Sequence, residues 1–290
     1  MRMILTLLSI ALGVIVTASS ITACEKKVEP WNPETPPHHG QQTEGPVYPK
    51  QEGVIRLVTY NVGVFGIYIS NSTVMIADMM NEIEADAIAV NEVDYMNDRH
   101  RADQLKEFAA ALGDWDYMYG KAIPYRNGFF GEGAVMKKEL NVLDKYTIAL
   151  EKGPGVEARV LVVIETEKFI FASTHLDHVS QDACAMQAGV ITTKLKDKYG
   201  KSGKPVFLCG DLNSRPDSKA IALLKQDWTI LSSDELTFPS VNPYARIDYI
   251  MLLNNGAKCK KVKSTVPKVF EKGDIKVASD HLPVFVDVIL

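Results

Sequence analysis

Val206-Phe207-Leu208-Cys209-Gly210-Asp211-Leu212-Asn213 is an apolar run of strand length that meets a glycine and then breaks into an acid and an amide two residues apart. Along an extended chain residues two apart share a face, so Asp211 and Asn213 can converge on one point at the strand's end. In isolation Gly-Asp-x-Asn reads equally well as an Asx turn closing a buried strand. Other apolar runs of this chain, however, are punctuated in the same way. The run 54–60 ends at Asn61, 86–90 at Asn91-Glu92 and 169–174 at His175, while Asp248 stands at the start of 247–253 and Asp280-His281 just before 282–289. Ligands and catalytic groups of α/β proteins gather at strand ends and the loops beside them. Asn61, Glu92, His175, Asp211, Asn213, Asp248, Asp280 and His281 are therefore the candidate site, and the rest of the chain is the scaffold that assembles it.

Outward from that stretch, helical periodicity covers 73–83, with Asn71 or Ser72 as cap, then 101–111, 181–198 and 218–226. Short strands at 115–119, 133–137, 146–150, 159–165 and 169–174 follow one another in the middle, and a further strand falls near 260–266. So dense a block of strands between helical units argues against a simple doubly wound sheet. No fixed short period repeats, which excludes solenoids and propellers.

The first residues are addressed rather than folded. Arg2 precedes an apolar run, 4–16, too short to span a bilayer comfortably. Ile21-Thr22-Ala23-Cys24 resembles the lipobox of bacterial lipoproteins, the alternative being an ordinary secretory signal that contains a cysteine. Residues 1–23 are expected to be a lipoprotein signal peptide, with Cys24 lipidated as a stable membrane anchor. Residues 24–51 carry six prolines, at 30, 33, 36, 37, 46 and 49, and make a tether linker in which His38-His39 are solvated. The folded domain is 52–290. Cys184, Cys209 and Cys259 allow one disulfide at most and lack metal-site spacing; Cys209 lies in an apolar run, as a small buried hydrophobe does.

An apolar fraction of 46% excludes general disorder, and a formal charge of −4 does not suit a nonspecific duplex-DNA binder. The candidate residues point to phosphate-ester chemistry. Carboxylates and an amide oxygen are hard ligands for Mg²⁺, Mn²⁺ or Ca²⁺, and no Cys/His cluster has zinc spacing. A cation neutralises developing charge, a carboxylate activates water, and an imidazole flanked by Asp serves in acid–base work or binds phosphate.

Thr59-Tyr60-Asn61, Asn91-Glu92, Thr174-His175-Leu176, Gly210-Asp211-Leu212-Asn213, Arg246-Ile247-Asp248-Tyr249 and Ser279-Asp280-His281, in that order, resemble the motifs of the endonuclease/exonuclease/phosphatase superfamily over about 54–290. That group includes deoxyribonuclease I, abasic-site endonucleases, bacterial sphingomyelinases and inositol polyphosphate 5-phosphatases. The resemblance implies a four-layer α/β sandwich, two mixed β-sheets face to face with helices on the outer faces. It implies Glu92 as main metal ligand, with Asn61 beside it and Asp280 nearby. It makes His281, held by Asp248, general base or phosphate contact, and Asp211 the group that orients and deprotonates water. Asn213 would bond a phosphoryl oxygen, and His175 would contact the phosphate or assist the leaving group. Glu132 lies where a glutamate partner of that histidine would sit, and Arg159 is placed either to reach a phosphate or on the surface.

Substrate choice lies in the surrounding loops. The chain lacks the basic, aromatic-interleaved loops of a nucleic-acid reader. Tyr117, Tyr119, Tyr125, Phe129 and Phe130 form either an apolar rim for a lipid or aryl group or ordinary core. The expectation is an exported, lipid-anchored, monomeric phosphodiesterase or phosphatase at the bacterial cell envelope, acting on a small or lipid-linked ester. A secreted-type nuclease is the alternative, and a catalytically silent binding lipoprotein is the alternative of another class.

Overall fold

The computed structural model describes residues 47–290. The expected signal peptide, Cys24 and the linker histidines lie outside the described residues. In chain order the elements are β1 (Ile55–Asn61), α1 (Thr73–Glu82), β2 (Ala87–Tyr95), α2 (Gln104–Gly113), β3 (Asp116–Tyr125), β4 (Gly128–Met136), β5 (Val142–Leu150), β6 (Arg159–Thr166), β7 (Ile170–His175), α3 (Gln181–Tyr199), β8 (Val206–Asp211), α4 (Lys219–Leu224), β9 (Trp228–Ile230), β10 (Asp248–Leu253), β11 (Lys260–Thr265), α5 (Ile275–Ala278) and β12 (Val284–Ile289).

Two mixed six-stranded sheets result, ordered β11-β12-β1-β2-β4-β3 and β5-β6-β7-β8-β10-β9. Three apolar clusters separate four layers. Val58, Tyr60, Ile88 and Val90 pack outward under Ile76 and Met79 of α1 and Phe108 of α2. Alternate residues of the same strands, Leu57, Ala87 and Ala89, turn inward against Val162, Phe171, Phe207 and Cys209 of the second sheet. On its far side, Ile170, Val206 and Leu208 meet Ile191 and Leu195 of α3. Both faces of the central strands are covered, which is why their sequences read as continuous apolar runs rather than alternations.

Register is what positions the site. Asn61 on β1 pairs with Asn91 on parallel β2. His175 on β7 pairs with Asp211 on parallel β8, and Asp211 with Asp248 on antiparallel β10. Functional residues at three neighbouring strand ends of the second sheet thus form one row. Gly210 is required there: its φ of 147° and the close approach of the Thr174 carbonyl leave no room for a Cβ.

Two features differ from expectation. Strands 115–119 and 133–137 are the inner halves of a long hairpin, β3–β4, closed by Arg126-Asn127, both with positive φ; the intervening glycines masked it. The last linker residues are also packed: the Tyr48 ring packs tilted against Phe270 and edge-on to Phe285, and its carbonyl accepts from Arg56, whose guanidinium pairs with buried Asp287. The three cysteines beyond Cys24 are free thiols.

Candidate active site

All eight candidate residues meet at one end of the sandwich, where Glu92, His175, Asp211, Asn213, Asp280 and His281 line a cavity of about 360 Å³. Its centre is Asp211 Oδ2. Asn61 Nδ2 donates to it at 3.2 Å, and the Nε2 atoms of His175 and His281 lie 3.5 and 3.6 Å away. The other oxygen, Oδ1, accepts from the backbone of Asn213, held at φ 46°. One carboxylate oxygen is thus anchored and the other presented to the cavity.

His281 Nδ1 lies 3.0 Å from Asp248 Oδ2. Burial pulls the imidazole toward neutrality, but Asp248 and Asp211 outweigh it and push the pKa up to about 10, so the ring is an imidazolium at neutral pH. Burial and the charge of Asp248 in turn raise Asp211 above the usual carboxylate range. The turn bearing His281 is tied to β1: Ser279 Oγ donates to the Asn61 carbonyl at 2.6 Å and accepts from His281 N.

His175 is equally buried but neutral. Burial first, then the neighbouring Arg159 charge, lower its pKa well below the usual value. Arg159 Nη1 faces Nδ1 at 3.4 Å, and Asn213 Nδ2 faces Nε2 at 2.9 Å while also donating to the Leu176 carbonyl. The neutral ring carries its one proton on one nitrogen and accepts at the other, so only one of these two donors is hydrogen-bonded, and a second ring proton would leave neither bonded.

Arg159 is therefore a buried residue, 2% exposed, rather than a surface one. The expected ring pairing of Glu132 with His175 is not formed. On β4, Glu132 points between the sheets, where Oε1 accepts from the Val160 backbone and Oε2 has no partner; burial pushes its pKa up to about 8.

Asn61 and Glu92 sit side by side, Nδ2 to Oε1 3.0 Å. Glu92 adopts φ 59° in a bulge where β2 slips against β4 between Val90 and Val93, and such bulges re-aim side chains beside active sites. The ion pairs around the cavity are His281–Asp211, His281–Asp248 and Arg159–Glu157, while neutral His175 lies 3.5 Å from Asp211 without a charge to pair. Among the described residues, Glu92 and Asp280 thus face the cavity without a cation in contact. Asp211, Asp248 and His281 also bring donor atoms within 4.8 Å of one another. Asn61 Oδ1 accepts from Gly63 N, which turns the amide nitrogen toward the carboxylates.

With this geometry in view, residues 58–281 match the model of the Endonuclease/Exonuclease/phosphatase family. The chain belongs to that family. Members of the endonuclease/exonuclease/phosphatase family are phosphoesterase hydrolases. Among solved structures, an endonuclease/exonuclease/phosphatase from Bacteroides vulgatus superposes with a TM-score of 0.68 at 20% identity, covering 82% of this chain and 99% of that one. A mannosyl-6-phosphatase from Bacteroides thetaiotaomicron VPI-5482 gives 0.67 at 18%, covering 81% and 100%. The human Nocturnin catalytic domain with bound sulfate gives 0.62 at 16%, covering 81% and 93%. At these identities the likeness is one of fold. No curated protein matches the sequence significantly.

Several residues of this family member carry the site without having been singled out in the sequence. Asn91 joins the two sheets, its Nδ2 donating to the Thr174 carbonyl and its Oδ1 accepting from Asp211 N, each at 2.9 Å. Asp177 stitches one cavity wall: Oδ2 accepts from Val156 and Glu157, Oδ1 from Val179 and Ser180. That wall presents Glu157 and His178, and Arg159 Nη2 lies 3.2 Å from His178 Nδ1. Asn91 stands inside a quoted motif and Asp177 adjoins one, which was the available signal; Glu157 and His178 had none.

Proposed function

We propose that the protein hydrolyses a phosphate ester with the help of a divalent cation, as a phosphodiesterase or phosphatase for a small or lipid-linked substrate. The observation that carries this reading is the convergence on Asp211 Oδ2 of an amide and two histidines, one neutral and one cationic. Oxygen donors at Glu92 and Asp280, facing the cavity without a cation in contact, fit Mg²⁺ or Mn²⁺, with Asn61 beside them. Asp211, Asp248 and His281 are the weaker cation site, because they already compensate one another's charge. A bound cation would neutralise charge that develops on the phosphoryl oxygens.

The chain's own residues do the rest. Asp211 orients a water and takes its proton as the water oxygen bonds to phosphorus. The His281 imidazolium, steadied by Asp248, and the Asn213 amide bond the phosphoryl oxygens, and neutral His175 contacts the phosphate. The bond from phosphorus to the alcohol breaks, and the alcohol leaves with a proton drawn from water while Asp211 returns the proton it took to solvent. Cys24 is proposed to tether this chemistry at the bacterial cell envelope, the protein acting as a monomer.

The test is release of nitrophenol from bis-p-nitrophenyl phosphate, p-nitrophenyl phosphate and p-nitrophenylphosphorylcholine with Mg²⁺, Mn²⁺, Ca²⁺ or EDTA. Turnover that EDTA abolishes, a cation restores in the wild type and no cation restores in Glu92→Ala is the expected result. Cation-independent turnover removes the metal role. Silence on every ester by a folded protein favours a binding lipoprotein, and plasmid nicking as the dominant activity favours a nuclease.

A further inference from the structure

Most of the cavity wall is polar; Phe238, packed on His281, and Ile247 are apolar on one side, and on the side of Glu92 the apolar residue is Phe130, placed by the β3–β4 hairpin. Past the β2 bulge, Asp94 pairs across the sheet with Phe130, and past the β3 irregularity Ile123 does the same from the other side. Tyr125, two residues on from Ile123, shares that face. Phe130 is half-buried and lines the cavity beside Glu92.

Its support is built in depth. The Tyr125 ring lies 6.3 Å from it, tilted by 56°. The Arg99 guanidinium lies 4.8 Å from the Tyr125 ring centre and 5.9 Å from that of Phe130. Arg99 is itself fixed by two hydrogen bonds to buried Asp94, Nε to Oδ2 at 2.6 Å and Nη2 to Oδ1 at 2.9 Å. Asn97 Oδ1 accepts from Arg99 N and His100 N and sets the turn. A ring held from behind by a second ring and a two-pronged ion pair offers a flat apolar surface at little entropic cost. Asp94 neutralises Arg99, so this corner has no strong demand for a second anion.

The geometry points to Phe130 as a specificity-determining residue: the alcohol half of the ester carries a ring whose flat face packs on the Phe130 side chain. This rests on the phosphoesterase reading above and narrows its substrate to esters of cyclic alcohols. Both a sugar ring, through its C–H face, and an aryl ring have the required chemistry. A linear alcohol has no such face.

The experiment compares a hexose 6-phosphate, phenyl phosphate and glycerol 3-phosphate, each as monoester and methyl diester, on wild type, Phe130→Ala, Phe130→Leu and Phe130→Tyr. Hydrolysis is followed with Mg²⁺ and binding by calorimetry. In Phe130→Ala, kcat/KM or affinity for one or both ring esters is expected to fall roughly 5- to 30-fold. The glycerol ester is expected to change less than twofold. Phe130→Tyr retains the preference and Phe130→Leu, which keeps bulk but not the flat face, loses it. Equal losses on all three alcohols, or none on either ring ester, overturn the proposal. The hexose and phenyl arms separate a sugar from an aryl substrate. Wild type that hydrolyses nothing defeats the phosphoesterase reading, while ring-selective binding sensitive to Phe130 still decides the subsite.

Discussion

His175 and His281 share one cavity and one depth, 4% exposed each, yet the two sides of the site leave one neutral and make the other a cation. His281 has a carboxylate on Nδ1 and another near Nε2. His175 has a guanidinium on Nδ1 and an amide nitrogen on Nε2. Burial alone would neutralise both rings; two carboxylates reverse that for His281, and Arg159 reinforces it for His175. The lesson is that an imidazole's role is set by what faces its two nitrogens, which neither its burial nor its own motif reveals.

The heaviest blow to this arrangement falls on the charged side. His281→Ala and Asp248→Asn should each lower kcat on a nitrophenyl ester by about 10²–10⁴-fold, with circular dichroism unchanged. Asp248→Asn counts because it leaves the imidazolium without its main counter-charge. An Asp248→Asn enzyme with near-normal kcat would break the contrast.

On the neutral side the expected effect is smaller and of a different kind. Arg159→Met removes a donor and a charge from His175 and should cost roughly 10-fold in kcat. It should also move the acid limb of the pH–rate profile upward, because His175 then gains a proton at higher pH. A uniform loss at every pH would mean that Arg159 only supports the wall.

Stability provides an independent readout with opposite signs, measured as Tm with cations chelated. The folded-state pKa of His281 is raised from 6.5 to about 10. Its contribution is therefore complete below pH 6.5 and lost as pH rises toward 10. The Tm deficit of His281→Gln should thus be largest in acid and shrink in alkali. His175, with its pKa lowered, penalises the folded state below pH 6.5, so His175→Gln should gain on wild type as pH falls. Parallel curves for the two variants would refute the difference in their charge states.

The smallest effect belongs to Glu132 beneath them. Its carboxyl titrates near 8 instead of 4.5, so the folded protein keeps a proton that the unfolded chain has released, and stability drops between those values. Glu132→Gln should flatten that slope and raise Tm above pH 7 by a few degrees. An unchanged slope would remove Glu132 from the electrostatics of the site.

The fold was legible where sequence and burial obey one rule. Runs such as Val206–Asp211 are apolar throughout because helices and a second sheet cover both faces. The hairpin was half-legible: Gly128, Gly131 and Gly133 interrupt the pattern, although Gly131 is needed where the Gly120 backbone passes. The structural roles of Asn91 and Asp177 were not legible because their partners, Thr174 and Asp211 for one and the backbone of 156–157 and 179–180 for the other, lie elsewhere in the chain.

By itself the sequence determined most of the helices and strands and the identity of the residues at the strand ends, since both follow from apolar periodicity and its punctuation, while the four-layer architecture followed from the resemblance that the ordered motifs carry. The tertiary structure alone decided which ring carries charge, where Arg159 and Glu132 point, and that Phe130 flanks the cavity. Those outcomes depend on distances between residues far apart in the chain and on burial that strengthens every charge. Neither is a property of any single stretch.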